Sequence, residues 1–147
     1  MEICEKRGYT LIKYTDKYTK EDFDMICEVF PNGFNYYSDG KRIIEYNDTL
    51  STERIRTTIF HEIGHIELKH TCSCSLSEVE AEWFGVYMIA PPPLVDLVNV
   101  DSSLDLSIKF DTSIECAYHC MRRYLTWKSV TMFKRDYERK LVEQFCQ

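Results

Sequence analysis

The stretch Ile59-Phe60-His61-Glu62-Ile63-Gly64-His65 decides the fold of this chain, because two histidines stand four positions apart with a glutamate after the first. On an α-helix, His61 and His65 lie about 40° apart around the axis and one turn apart along it. Both imidazoles can then reach one metal ion, and Glu62, on the shoulder of the same face, can hold a water bound to that metal. The sequence predicts a buried amphipathic helix with a metal site along one edge. The alternative is a helix whose histidines are merely structural.

A second helix is predicted from Ser77 to about Ala90, with a capping box between Ser77 and Glu80 and a stop at three consecutive prolines. It is expected to supply a third metal ligand. With Glu78 at 0° on the helical wheel, Glu82 lies at about 40° and Glu80 near 200°. We therefore predict that Glu78 is the ligand and that Glu80 points away as a capping residue. Glu82 is predicted to accept a hydrogen bond from a ligand histidine, with a solvated charge as the alternative.

The other histidines and the cysteines are less favoured as metal ligands. His70 follows the central helix, and we predict a satisfied histidine at the helix end in preference to a metal ligand. Seven cysteines without a secretion signal indicate free thiols in place of a disulfide framework. A second, structural zinc site is the less favoured alternative, because the spacing matches no standard zinc knuckle. Its members would be Cys72 or Cys74 together with Cys116, His119 and Cys120.

The composition is typical of a globular protein. A chain of 147 residues with 44% hydrophobic residues can bury one sizeable core and is not expected to be disordered. No apolar run is long enough to span a membrane, and the first residues do not resemble a signal peptide, so a soluble cytoplasmic protein is expected. Residues 1–108 carry a net charge of −9 and residues 109–147 carry +3, which argues against general nucleic-acid binding.

The elements before the central helix predict an α+β fold. A strand is expected at Tyr9–Tyr14, and Thr19 is expected to cap a helix that ends at residues 31–33. Phe34–Tyr46 is predicted to form a β-hairpin that turns at Asp39-Gly40, a dipeptide that tolerates the positive φ angles of a tight turn. The outer edge of this hairpin could pair with an extended peptide beside the metal.

The C-terminal part is predicted to be helical. Residues 94–105 are expected to connect through one short helix, and 106–125 resemble a helix-turn-helix fragment with a break at Asp111-Thr112 and a cap at Ser113. Packing or partner docking is favoured over DNA reading. The apolar stripe of its second helix is predicted to be Ile114, Ala117, Tyr118, Met121 and Leu125, with Cys116, His119 and Cys120 opposite. A terminal amphipathic helix is predicted over Trp127–Phe145, with a strand near Val130–Phe133 as the alternative.

The segment Glu53–Pro91 resembles the ImmA/IrrE family of zinc metallopeptidases. The resemblance lies in Arg56-Thr57-Thr58-Ile59-Phe60, the HEIGH motif, Glu78-Val79-Glu80-Ala81-Glu82-Trp83-Phe84-Gly85 and Met88-Ile89-Ala90-Pro91. Glu82 replaces an asparagine of the family pattern, and Gly85 replaces an alanine. The resemblance implies a gluzincin-like site, in which two histidines and a distant glutamate bind zinc and the HExxH glutamate is the general base. It also implies a phage or mobile-element protein that acts on a helix-turn-helix repressor.

Together these observations predict a single α+β domain over 1–147, with a zincin-like catalytic part at 1–105 and a helical module at 106–147. His61, His65 and Glu78 are predicted to hold Zn²⁺ and Glu62 to act as the base of a metallopeptidase. The expected partner is a protein substrate, a transcriptional repressor, with neither membrane association nor direct nucleic-acid binding. One alternative is a catalytically silent zincin-like regulator that binds a transcription factor or DNA. Another is an interaction module built on a cysteine-held structural zinc.

Overall fold

The computed structural model describes residues 2–72, 74–130 and 135–146, and the α+β prediction is confirmed there. Its helices are α1 (Glu2–Arg7), α2 (Tyr14–Lys17), α3 (Lys20–Val29), α4 (Thr52–Glu67), α5 (Ser75–Ile89), α6 (Pro92–Leu97), α7 (Ser103–Lys109), α8 (Ile114–Val130) and α9 (Asp136–Phe145). Its strands are β1 (Thr10–Lys13), β2 (Gly33–Ser38) and β3 (Lys41–Tyr46). The chain divides into two compact units, residues 1–85 and 86–147. The single-domain assignment with a boundary after residue 105 stays a prediction.

The three strands of the first unit form one sheet in the order β1-β3-β2. β1 pairs with β3 in parallel, and β2 pairs with β3 in antiparallel fashion. The turn between β2 and β3 has positive φ angles at both Asp39 (50°) and Gly40 (76°), which is the backbone of a type I′ turn. The predicted hairpin is therefore confirmed, and β2 is an edge strand of this sheet.

Helix α4 packs on one face of the sheet. Ile44 of β3 and Ile63 of α4 have no exposed surface and form a hydrophobic core with Ile59 and Cys4. Asn35 of β2 stands opposite Ile44 in the hairpin register, and residues directly opposite in such a pair point to the same side. The register therefore places a polar side chain of the edge strand on the face that meets α4.

The other face of the sheet buries a carboxylate. Glu45 of β3 has no exposed surface, and its oxygens accept hydrogen bonds from Lys17 (2.5 Å), Tyr36 (2.6 Å) and Tyr18 (2.7 Å). Burial alone would raise the pKa of Glu45, but these three donors together hold that pKa below its ordinary value. A buried charge is stable in a fold when it is paired and hydrogen-bonded in this way.

Helices α4 and α5 approach each other closely at small residues. A Cβ atom added at Gly64 of α4 would lie 3.1 Å from both the Cα and the carbonyl oxygen of Ala81 in α5. A Cβ atom added at Gly85 of α5 would lie 3.3 Å from the backbone nitrogen of His61. This close approach brings the carboxylates of α5 within reach of the histidines on α4.

The start of α5 differs from the sequence prediction. The helix begins at Ser75, so Ser77 lies inside its first turn and does not cap it with Glu80. The Ser77 hydroxyl accepts a hydrogen bond of 3.0 Å from the backbone N–H of Cys74 and lies 2.8 Å from the carbonyl oxygen of Cys72. This side chain therefore ties the approaching chain to the first turn, and the helix starts before the residue expected to cap it.

The second unit confirms the helical prediction for the C-terminal part. The chain re-enters a helix directly at Pro92, because proline needs no N–H partner in a first turn. The break between α7 and α8 contains Asp111 with φ 48°, and Ser113 caps α8 by accepting a 3.2 Å hydrogen bond from the backbone N–H of Cys116. No helix in the described ranges combines the length and the apolar composition needed to cross a membrane.

The predicted core face of α8 is confirmed at Ala117 but is wrong at Ile114, Tyr118 and Leu125. The buried side chains are Cys116, Ala117, Cys120 and Tyr124, whereas Ile114, Tyr118 and Leu125 are 55–56% exposed. The buried face thus consists of two thiols, one alanine and one tyrosine, and the two thiols fit the tendency of cysteines to behave as small apolar residues.

The predicted terminal helix is also wrong as one continuous element. Trp127 belongs to α8, and α9 begins only at Asp136. The alternative strand near Val130–Phe133 begins in the last residue of α8, and its other residues lie outside the described ranges.

Candidate metal centre

Three predicted ligands meet between α4 and α5. The Nε2 atoms of His61 and His65 are 3.0 Å apart, and Oε2 of Glu78 lies 3.3 Å from the first and 3.6 Å from the second. Of all histidine, cysteine and acidic side chains in the described ranges, these are the ones that converge as a group of three. The prediction that α5 would bring a carboxylate to the paired histidines therefore agrees with the geometry.

The spacing of these atoms fits a tetrahedral metal ion. Two ligand atoms that each lie about 2.1 Å from a tetrahedral zinc ion are about 3.4 Å apart. The observed distances of 3.0, 3.3 and 3.6 Å bracket that value. The Glu78 side chain is 48% exposed, so the group is open to solvent on its side. Two imidazoles and one carboxylate with an open side are the donor set of a catalytic zinc site, which keeps its fourth position for water or substrate.

The imidazole rings of His61 and His65 on α4 lie close together but in different planes. The ring centroids of His61 and His65 are 4.7 Å apart with an interplanar angle of 73°. Burial, followed by the neighbouring His61, lowers the pKa of His65 below its ordinary value. A lowered pKa keeps the imidazole neutral, which is the form that binds a metal.

The glutamate of the motif is held by a residue that the sequence did not single out. Glu62 is buried, and its Oε2 accepts a 2.7 Å hydrogen bond from the side-chain amide of Asn35 in β2. The one available signal was that Asn35 lies on the same side of the predicted hairpin as apolar Ile44. An amide at an inward-facing strand position needs a partner, but the hairpin pattern alone cannot say which one.

His70 contacts the Nδ1 side of the His65 ring, away from the ligand atom Nε2. Its Nδ1 is 3.0 Å from Nδ1 of His65, and its Nε2 is 3.1 Å from Oε2 of Glu80. The prediction of a satisfied histidine is therefore confirmed. The prediction that Glu80 points away is wrong, because α4 ends at Glu67 and the chain reverses at Lys69 (φ 58°), which brings His70 back towards α5.

Glu82, the cysteines and His119 are not members of the group of three converging ligands found among the described residues. Glu82 is exposed, and the atom next to Nδ1 of His65 belongs to His70, so the role predicted for Glu82 stays a prediction. No disulfide joins any of the seven cysteines, all of which lie in the described ranges. No cysteine belongs to the group of converging ligands found in the described ranges, so the second zinc site gains no support there.

Comparison with known proteins places these features in a family. A family model described as the IrrE N-terminal-like domain, Peptidase_M78, matches residues 14–94, which is more than half of the chain. Neither a curated protein nor a solved structure matches the chain. The matched range contains α4, the whole of α5 with Glu78, and the strands β2 and β3. The chain therefore belongs to the ImmA/IrrE family and contains its metallopeptidase-type domain.

Proposed function

We propose that this protein is a zinc-dependent endopeptidase that cleaves a protein partner. The observation that carries the proposal is the convergence of His61, His65 and Glu78, with contact distances of 3.0–3.6 Å, beside a buried glutamate, Glu62. Membership of a peptidase family supports the same class of reaction.

Each side chain then has a defined task. His61, His65 and Glu78 hold the metal through two nitrogen atoms and one carboxylate oxygen. Zinc, when bound, lowers the pKa of a coordinated water to about 7 and polarises the carbonyl of the scissile bond. Glu62 takes the proton of the attacking water and passes it to the leaving amine. Asn35 donates its hydrogen bond to Oε2 of Glu62, and this proposal assigns the transferred proton to the other carboxylate oxygen, Oε1.

The position of the edge strand β2 is a reason to propose that the substrate binds as an extended peptide. β2 pairs with β3 on one side only in the sheet of the described residues, and it carries the Asn35 contact to Glu62. An extended peptide that adds to such an edge gains main-chain hydrogen bonds. A peptide bound along β2 would therefore run past the proposed base. The specific substrate that we propose, in line with the family resemblance, is a helix-turn-helix repressor in the cytoplasm.

The test compares the wild-type protein with Glu62→Gln. Both are expected to bind about one equivalent of zinc, because Glu62 is not a ligand in this proposal. Incubation with a cell extract, followed by chemical labelling of new protein N-termini, should give wild-type cleavage products that the variant does not form. Loss of general-base catalysis typically lowers the rate by about 10²–10⁴-fold. A wild-type protein that neither contains nor takes up zinc would contradict the proposal.

A second candidate is a silent zincin-like regulator. The observation that favours it is the exposed apolar face of α8, where Ile114, Tyr118 and Leu125 are 55–56% exposed. Such a face suits a protein partner. A pull-down separates the two candidates, because a captured partner that stays full-length supports regulation and a clipped partner supports proteolysis. The hydrogen bond that holds Glu62 favours the peptidase, since a scaffold needs no base.

A further inference from the structure

We infer that His70 and Glu80 are positioning residues, which orient the imidazole of His65 so that its Nε2 faces the metal. This inference rests on the proposed metal site and names two side chains that hold it in shape. Neither residue touches the metal position in this proposal. Both act through His65.

The first step is the hydrogen-bond direction. Nε2 of His65 faces the other ligands, so its lone pair must be free and its proton must sit on Nδ1. Nδ1 of His70, 3.0 Å away, then has to accept that proton's hydrogen bond. His70 must carry its own proton on Nε2 and donate it to Oε2 of Glu80 at 3.1 Å. One directed chain, from His65 through His70 to Glu80, therefore fixes both tautomers.

The second step is the backbone that places His70. The N–H of His70 donates to the carbonyl of His65 (3.0 Å), and the N–H of Lys69 donates to the carbonyl of Ile66 (3.2 Å). With Lys69 in the left-handed region (φ 58°), this is the Schellman ending of a helix. His70 is thus tied to the residue whose ring it contacts, with the two ring centroids 5.0 Å apart.

The third step is shielding from water. The side chains of His70 and His65 are only 11% and 13% exposed, so water is not a ready substitute for the contact between them. Glu80 is two residues after Glu78 on α5. One helix therefore supplies both a ligand and the end of the chain that orients another ligand. Loss of such outer partners typically weakens metal binding by about 10–100-fold.

The experiment measures zinc affinity of the full-length protein by competition with a chromogenic chelator. His70→Ala is expected to bind zinc about 10–100-fold more weakly than the wild type. His70→Asn should recover part of the loss, because its amide oxygen can accept from Nδ1 of His65. Glu80→Gln should lose less zinc affinity than His70→Ala, since the amide still accepts a hydrogen bond but carries no charge.

A second experiment reads the tautomers directly. Nitrogen-15 NMR of the zinc-loaded wild type should show His65 protonated on Nδ1 and His70 on Nε2.

The controls are Thr71→Ala, next to His70 on an exposed position, and Glu115→Gln, an exposed glutamate on α8. Both should bind zinc like the wild type. If His70→Ala fails to fold, the other two variants and the NMR measurement decide the question. Wild-type affinity in His70→Asn, Glu80→Gln and any folded His70→Ala would overturn this inference and leave the proposed function intact. A wild-type protein that takes up no zinc would instead contradict the proposed function, and this inference with it.

Discussion

The side-chain amide of Asn35 donates a 2.7 Å hydrogen bond to the buried carboxylate of Glu62. The bond joins the edge strand β2 to the helix α4 across 27 positions of sequence. It holds the proposed base against the strand along which we propose that the substrate binds. The orientation of this carboxylate therefore depends on the sheet as well as on its own helix.

Asn35→Ala tests this link. The change removes a donor to a buried carboxylate, and a hydrogen bond to a charged group is worth about 1.5–3 kcal/mol. We expect zinc content to stay the same and the cleavage rate, measured on a substrate identified by N-terminal labelling, to fall at least about tenfold. Asn35→Asp should lose more activity, since it places a second negative charge beside Glu62. An unchanged cleavage rate in both variants would show that this contact does not position the base.

Gly64→Ala tests the approach of α5 to α4. Alanine favours a helix by up to about 1 kcal/mol over glycine, but overpacking costs about 1–3 kcal/mol. The new methyl group would lie 3.1 Å from backbone atoms of Ala81, which cannot move without moving α5 and Glu78. We therefore expect a net loss of stability in urea unfolding, together with weaker zinc binding. A variant more stable than the wild type would mean that the helix accommodates the methyl group freely.

From the lowered pKa of Glu45, we expect the stability of the fold to depend on pH. The folded-state pKa of Glu45 lies below its ordinary value of 4.5, because hydrogen bonds from Lys17, Tyr36 and Tyr18 outweigh the effect of burial. A carboxylate with a lowered pKa contributes stability above the unfolded-state pKa, and that contribution disappears as the pH falls through the folded-state pKa. Urea unfolding should therefore show a loss of stability as the pH falls below about 4.5.

The variant for this measurement is Glu45→Gln, which keeps the shape and removes the charge. It should be less stable than the wild type at pH 7 by about 1–3 kcal/mol. The difference between the two proteins should shrink on acidification. A constant difference at every pH would exclude Glu45 as the titrating group.

Lys69→Gly tests the helix ending behind His70. Lys69 has φ 58°, a conformation that costs a residue with a side chain about 1–2 kcal/mol relative to glycine. Glycine should therefore raise the melting temperature, while Lys69→Val, with a branched side chain, should lower it. Zinc affinity should not change in Lys69→Gly, since the backbone path to His70 is retained. A lower melting temperature for the glycine variant would contradict this account of the turn.

Features that depend on neighbouring residues could be predicted from the sequence. Thr19 caps α3 as expected. Its hydroxyl accepts a hydrogen bond from the backbone N–H of Asp22, and these two residues are only three positions apart. The same applies to the Asp39-Gly40 turn, whose positive φ angles follow from the residue types. Helical spacing likewise put His61 and His65 on one edge of α4.

Contacts between distant elements could not be predicted in the same way. A helical wheel ranks Glu78, Glu80 and Glu82 by angle, but it contains no information about where α4 ends and the chain turns back. Glu80 meets His70 only because Lys69 reverses the chain. The face of α8 was misjudged for a related reason, since apolar periodicity does not say which of two faces is covered by other helices.

The sequence by itself determined the α+β class, the paired histidines and the family, since these follow from residue types and short spacings. Tertiary structure alone decided that Glu78 reaches both imidazoles, that Asn35 holds Glu62 and that His70 stands between His65 and Glu80. The physical reason is that these contacts depend on how closely two separate elements pack. That closeness is set by small residues such as Gly64 and Ala81 at the point where the helices meet.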